Sequence, residues 1–176
     1  MIDWSKIDNF KKKEFSEDPE KYADPVLIYC LDYLRIIANQ KIFPSPVKGA
    51  LARIGGSKTS QHYVGESENQ ITRLSSACDV FIEGTTFSNF CTIMSSRLFN
   101  GIGIYLDSTG PDGKPWCMIH LDIRKVGFSA LVPLIWIAEK DSQNKWSYKY
   151  PQYNIGQWDL FQDRKFFLTK KFRESF

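Results

Sequence analysis

The sequence predicts an α+β fold, a β-sheet with helices packed on one side and ionisable side chains gathered on the other. Three observations carry this expectation. Residues 25–39 place Leu27, Leu31, Leu34 and Ala38 at helical spacing, the stripe of an amphipathic helix. Residues 77–83 and 117–124 instead alternate apolar with polar side chains, the period of a half-buried strand. The only two histidines, His62 and His120, lie with Asp79 in three separate segments. Two histidines and one carboxylate are enough protein ligands for a catalytic zinc that keeps a position for water.

The elements follow in order. Asp24-Pro25 reads as an N-cap and a first-turn proline opening the helix. Lys41-Ile42-Phe43 is a short strand stopped by Pro44 and Pro46. Residues 47–60 are small, polar and Gly-containing, with no clear strand boundary, and Glu66–Ser76 reads as a polar surface loop. In the strand from Ala77 to Glu83, Cys78, Val80 and Ile82 form one face; Ala77, Asp79, Phe81 and Glu83 form the other. Thr85-Thr86 can cap a second helix with Phe87, Phe90, Cys91, Met94 and Leu98 on its inner stripe. Gly101-Ile102-Gly103-Ile104-Tyr105 is a strand whose glycines mark a close approach by another group. A turn at Gly110-Pro111-Asp112-Gly113 leads into the strand from Cys117 to Arg124. There Cys117, Ile119, Leu121 and Ile123 face the core, and Met118, His120, Asp122 and Arg124 face the other way. Leu131–Ala138 and Trp146–Tyr150 are further strands, and the basic, aromatic tail from Trp158 to Phe176 reads as a packed terminal element.

The bulk properties bound the function. A chain of 176 residues, 43% hydrophobic, is of a size and composition for one globular domain, residues 1–176. A net charge of +3 is too small to argue for nucleic acid and tolerates an anionic polymer as partner. No apolar run approaches a membrane span, and Met1-Ile2-Asp3-Trp4 carries no signal-peptide apolar region, so synthesis in the cytoplasm is expected. Cys30, Cys78, Cys91 and Cys117 contain no C-x-x-C pair and read as free thiols.

At Ser60-Gln61-His62-Tyr63-Val64-Gly65, Ala77-Cys78-Asp79-Val80 and Ile119-His120-Leu121-Asp122, the chain resembles the zinc-dependent D-alanyl-D-alanine carboxypeptidase and L-alanyl-D-glutamate endopeptidase family. Those enzymes cleave peptidoglycan stem peptides, and many are phage lysis or tail enzymes. Their signature reads S-x-H-x-x-G-x-A-x-D, followed by a strand bearing W-x-H or H-x-D. The resemblance covers about residues 9–124, starting at Asn9-Phe10 and Glu14-Phe15, and leaves about 125–176 as a divergent extension. Together with the alternation above, it implies a mainly antiparallel, Hedgehog/DD-peptidase-like sheet with the metal on its open face. It further implies Zn2+ held by His62, Asp79 and His120, a peptidoglycan peptide as partner, and action at the cell wall after holin-type release or within a virion.

The departures from the signature shape the expectations. In strict register the family's Asp falls on Asn69, a poor ligand; Asp79 is preferred, with Glu66–Ser76 as an insertion and Glu66 or Glu68 as fallback ligands. Many relatives carry Glu three residues before the last His, where this chain has Cys117. Asp122, on the same strand face as His120, is then the candidate general base or a partner that supports the metal site, with Glu83 a weaker candidate. Near the family's upstream substrate-holding arginine stand Lys48 and Arg53, and Tyr105 is expected to line the substrate groove. The competing expectation is a non-catalytic, peptidase-like module for binding or virion structure.

Overall fold

The computed structural model describes residues 1–67, 70–82, 87–110, 112–113, 115–125 and 133–150. Two single-turn 3-10 helices, Trp4–Lys6 and Lys12–Glu14, lead into a short helix α1 (Pro19–Tyr22) and the main helix α2 (Pro25–Ala38). Asp24 caps α2 by accepting from the Val26 N–H at 2.9 Å, and Pro25 occupies its first turn, where an N–H would have no helical partner. Asn39 ends it in the left-handed conformation, φ 49°. Leu27, Leu31 and Leu34 are fully buried as their spacing predicts, joined by Ile28. Asp32, on the same helix, is buried because it accepts from the Asn9 backbone at 2.7 Å and so ties the N-terminal segment to α2.

Among the described residues, nine strands follow in two sheets. The large one is mixed, with order β1-β5-β7-β6-β8-β9: β1 (Ile42–Pro44), β5 (Ala77–Ile82), β7 (Pro115–Asp122), β6 (Gly101–Thr109), β8 (Leu134–Lys140) and β9 (Trp146–Lys149). Every neighbouring pair is antiparallel except β6 with β8. The small sheet joins β2 (Arg53–Ile54), β3 (Tyr63–Ser67) and β4 (Gln70–Arg73). The α+β class predicted from the sequence is therefore the class observed. The polar stretch Glu66–Ser76, expected to be a loop, instead carries the end of β3 and all of β4, which pair antiparallel. Gln70 to Arg73 alternate exposed and half-buried with none fully buried, so β4 lacks the clear apolar face that signals a strand. The segment without a clear boundary yields the two-residue β2, and both of its residues are exposed.

One face of the large sheet builds the core. Cys78, Val80, Ile82, Ile102, Ile104, Ile119, Leu121, Ile135 and Ile137 pack there with the buried residues of α2. Helix α3 (Phe87–Ser96) adds Ile93 and Met94. Cys91 is only half-buried, and Leu98 lies beyond the helix end, packed against the same core. The expected cap at Thr85-Thr86 and the residue Glu83 fall outside the described residues, as do Glu68, Asn69 and the tail from 151 to 176. The C-terminal stretch that the resemblance does not reach contributes β8 and β9 to this same sheet. Among the described residues, no helix is long and apolar enough to cross a membrane.

Candidate metal centre and its groove

The register of the large sheet brings the site together on the face away from α2. Asp79 on β5 stands opposite His120 on β7, His120 opposite Gly103 on β6, and Gly103 opposite Trp136 on β8. Because successive side chains point to opposite faces, Asp79, His120 and Trp136 form one row across the sheet. His62 arrives from outside it, on the turn just before β3. That turn is clamped from two sides: Arg73 donates to the Lys58 carbonyl at 2.8 Å, and the Ser76 N–H donates to the Gln61 carbonyl at 3.0 Å.

Three donor atoms converge. His62 Nε2 lies 2.9 Å from His120 Nδ1 and 3.2 Å from Asp79 Oδ1, and His120 Nδ1 lies 2.9 Å from the same oxygen. All three residues are buried, and together they could hold a metal ion. A tetrahedral ion with bonds of ~2.0–2.1 Å has ligand–ligand edges of ~3.3 Å, a few tenths longer than this triangle. Proton bookkeeping points the same way. His120 faces a carboxylate oxygen on both sides, Asp79 at Nδ1 and Asp122 Oδ2 at Nε2, 3.0 Å away. An imidazolium donates to both; a neutral imidazole satisfies only one, and a cation at Nδ1 would take the place of the second proton and leave Nε2–H for Asp122. The chemistry of the donor set therefore fits a bound cation.

Burial alone would raise the Asp79 pKa, but the charges and hydrogen bonds of His62 and His120 outweigh it and hold the carboxyl well below its usual range. Burial likewise opposes charge on His120, yet its hydrogen bonds to Asp122 and Asp79 win and raise its pKa. Asp122 is itself brought down to about 2: burial works against the charge, and the bonds to Arg124 and His120 overcome it.

Asp122 is fully buried on the far side of the His120 ring from the donor triangle. Arg124 donates its backbone N–H and Nε to Oδ1 at 3.1 and 2.7 Å, and its Nη2 meets Oδ2. The carboxylate fits because Gly101 is opposite: a Cβ there would lie 2.2 Å from Asp122 Oδ2. Gly103 does the same for Trp136, whose indole crosses the space a Cβ would fill at 2.3–2.5 Å. The indole reaches the His120 ring, with centroids 5.1 Å apart, and carries the Arg124 guanidinium on it at 5.6 Å. The close approach that the two glycines signalled is thus the support of His120, one member of the donor triangle. Gly103→Ala is expected to push Trp136 off His120 at a cost of ~1–3 kcal/mol, read as a lower denaturation midpoint accompanied by weaker metal binding. A lost midpoint with unchanged metal affinity would separate Trp136 from the site.

Arg53 lies beside the triangle. Its Nη2 is 3.3 Å from Asp79 Oδ2, the oxygen turned away from the histidines, while its Nε donates to the Gly49 carbonyl at 2.8 Å. Its side chain stays half-exposed. The loop that delivers it is held by Glu17, whose carboxylate accepts from the Gly49, Leu51 and Ala52 N–H groups at 2.5, 3.0 and 3.2 Å. Nothing in the sequence around Glu17 announces this, because the partner amides are more than thirty residues away. Glu17→Ala is expected to cost about 2 kcal/mol in unfolding experiments, since three partly buried amides lose a charged acceptor.

All three residues expected to meet substrate line one cleft of about 410 Å³ with Asp79: Lys48, Arg53 and Tyr105. Lys48 and Arg53 also border a second cleft against Glu17 and Tyr22. The Tyr105 hydroxyl is pushed above its ordinary pKa by burial and stays protonated. Cys117 points into the core as its strand position predicts, and burial lifts its thiol to about 12. Glu66 is exposed on the hairpin and takes no part in the donor cluster. The alternation of β7 placed Asp122 beside His120, but Trp136 and Arg124 went unrecognised as parts of the site. The signal available for Trp136 was Gly103, a gap that a large ring had to fill.

Comparison with protein-family models, with curated proteins and with solved structures found no match for this chain.

Proposed function

We propose that the protein is a zinc peptidase acting on peptidoglycan stem peptides, with a Hedgehog/DD-peptidase-like site on the sheet face opposite α2. The observation that carries this reading is the triangle of His62 Nε2, Asp79 Oδ1 and His120 Nδ1, with edges of 2.9–3.2 Å, bordering a cleft that Lys48, Arg53 and Tyr105 line. The resemblance of the three ligand segments to the stem-peptide peptidases supplies the substrate class. Bound there, zinc supplies Lewis acidity and brings the pKa of water from ~15.7 toward ~7.

The chain's own groups supply the rest. Asp122 keeps the proton of His120 on Nε2, so that Nδ1 presents its lone pair to the site. Arg53 holds a positive charge beside Asp79, where it can take a substrate carboxylate or the developing oxyanion. The protonated Tyr105 hydroxyl can donate to a peptide carbonyl in the cleft. Delivery to the wall after holin-type release, or carriage in a virion, belongs to the same proposal.

The test is mass spectrometry of purified muropeptides incubated with zinc-loaded protein. A fragment pair with one new amine and one new carboxylate is the expected product. Intact muropeptides at full zinc occupancy would sink the reading. They would favour a binding or virion structural module, which one observation supports independently: at the position where many relatives carry Glu, Cys117 turns into the core.

A further inference from the structure

The row of residues next to the donor row underlies the cleft: Phe81, Met118, Tyr105 and Tyr148 line it, and Ala138 is buried between Tyr105 and Tyr148. Phe81 on β5 stands opposite Met118 on β7, Met118 opposite Tyr105 on β6, Tyr105 opposite Ala138 on β8, and Ala138 opposite Tyr148 on β9. This row runs across five strands, or four inter-strand steps of ~4.8 Å, ~19 Å in all. It lies two residues along each strand from Asp79 and His120, so one end of the floor borders the donor triangle. The other end is aromatic. Tyr105 meets Trp146 edge-on at 5.1 Å and Tyr148 at 6.3 Å, and Tyr148 keeps 47% of its surface exposed.

The wall beside this far end is made by a bulge. Between Tyr105 and Ser108 the β6–β7 register slips. An extra residue re-aims side chains, and Asp107, Ser108 and Thr109 all come to line the cleft. The Ser108 hydroxyl is buried there without a hydrogen-bond partner. Lys140 closes the wall, its ammonium 5.3 Å from the Trp146 ring.

We infer that this groove seats four to six residues of an extended peptide, with the part remote from the scissile bond resting on Tyr148 and Trp146. The inference rests on the peptidase reading for its chemistry and on the sheet register for its geometry. A peptide advances ~3.3 Å per extended residue, so ~19 Å of floor matches that length. It crosses the strands instead of running along an edge, so it cannot add as a strand. Recognition must come from side chains and ring faces. Binding gained far from the reacting bond is spent on positioning it, so short substrates should be slow as well as weak.

The experiment is a length series of N-acylated stem peptides, from two residues to six, with zinc-loaded wild type and with Trp146→Ala and Tyr148→Ala. In wild type kcat/KM should climb on the order of tenfold or more up to about five residues. The ratio of pentapeptide to dipeptide kcat/KM should fall toward one in both variants. A flat wild-type series, or the same climb in the variants, overturns the inference. Should no peptide be cleaved, calorimetry with the same series decides. Affinity that grows with length and is lost in Tyr148→Ala upholds the groove while sinking the peptidase reading, and an affinity independent of length removes the groove as well.

Discussion

Zinc binding should be lost outright when any one of His62, Asp79 or His120 is changed to alanine. If the proposed zinc site is real, wild type should hold about one zinc per chain by elemental analysis, since the three converging donors could hold one ion. Outer-sphere partners of a zinc site change affinity ~10–100-fold, and removal of a direct ligand should exceed that. The readout extends to stability: at a thousandfold excess over Kd, zinc should stabilise wild type by ~4 kcal/mol and leave the three variants unmoved. Glu66→Ala is the control, because Glu66 sits exposed on the hairpin and should keep its zinc. Zinc retained in Asp79→Ala and lost in Glu66→Ala would instead support the fallback ligand.

The pH dependence has opposite signs with and without metal. His120 has a raised pKa in the metal-free fold. Its contribution to stability is therefore complete below the unfolded value of ~6.5 and disappears as pH rises through the folded one. Asp79 and Asp122 are held low, so their contribution is present above ~3.9 and is lost as pH falls toward their folded values. Metal-free protein should accordingly be most stable between about pH 4 and pH 6.5 and weaken toward alkaline pH. Zinc needs the unprotonated His120 Nδ1, so zinc affinity should rise over the range in which the metal-free protein weakens.

Much of this site was legible because strands expose their logic at period two. Alternation in residues 117–124 put His120 and Asp122 on one face, and the same reading of 77–83 put Asp79 on the face opposite Cys78, Val80 and Ile82. The structure pairs those two faces through a register that periodicity cannot supply, with Asp79 opposite His120. What stayed hidden depends on distance along the chain or on the absence of an apolar face. Glu17 acts on amides of residues 49–52, and no local pattern links them. Strands β3 and β4 bury little, so their sequence looks like a loop. The bulge that turns Ser108 into the cleft interrupts the alternation running through Tyr105, and periodicity alone does not announce it. Trp136 lies in a stretch apolar on both sides, Ile135 to Ala138, so that alternation could not say which face it takes.

Changing Asp122 to asparagine should weaken zinc binding ~10–100-fold while leaving most of the turnover at saturating zinc. The two roles open to this residue predict different losses. A general base must reach the attacking water, and its removal costs ~10²–10⁴ in kcat with the metal site intact. Asp122 instead lies on the Nε2 side of His120, opposite the donor triangle, and is fully buried against Arg124. That position orients the imidazole and fixes its tautomer. Asparagine keeps the shape but has one acceptor oxygen where the carboxylate serves His120 on one oxygen and Arg124 on both. One donor must then meet an NH2 group. The metal-free variant should lose about 3 kcal/mol of stability, since a buried partner of Arg124 loses its charge. An unchanged zinc affinity with kcat down a hundredfold or more would place Asp122 in the proton transfer itself. The expected pattern, weak zinc and recovery of turnover as zinc is raised, makes it the group that holds His120 ready for the metal.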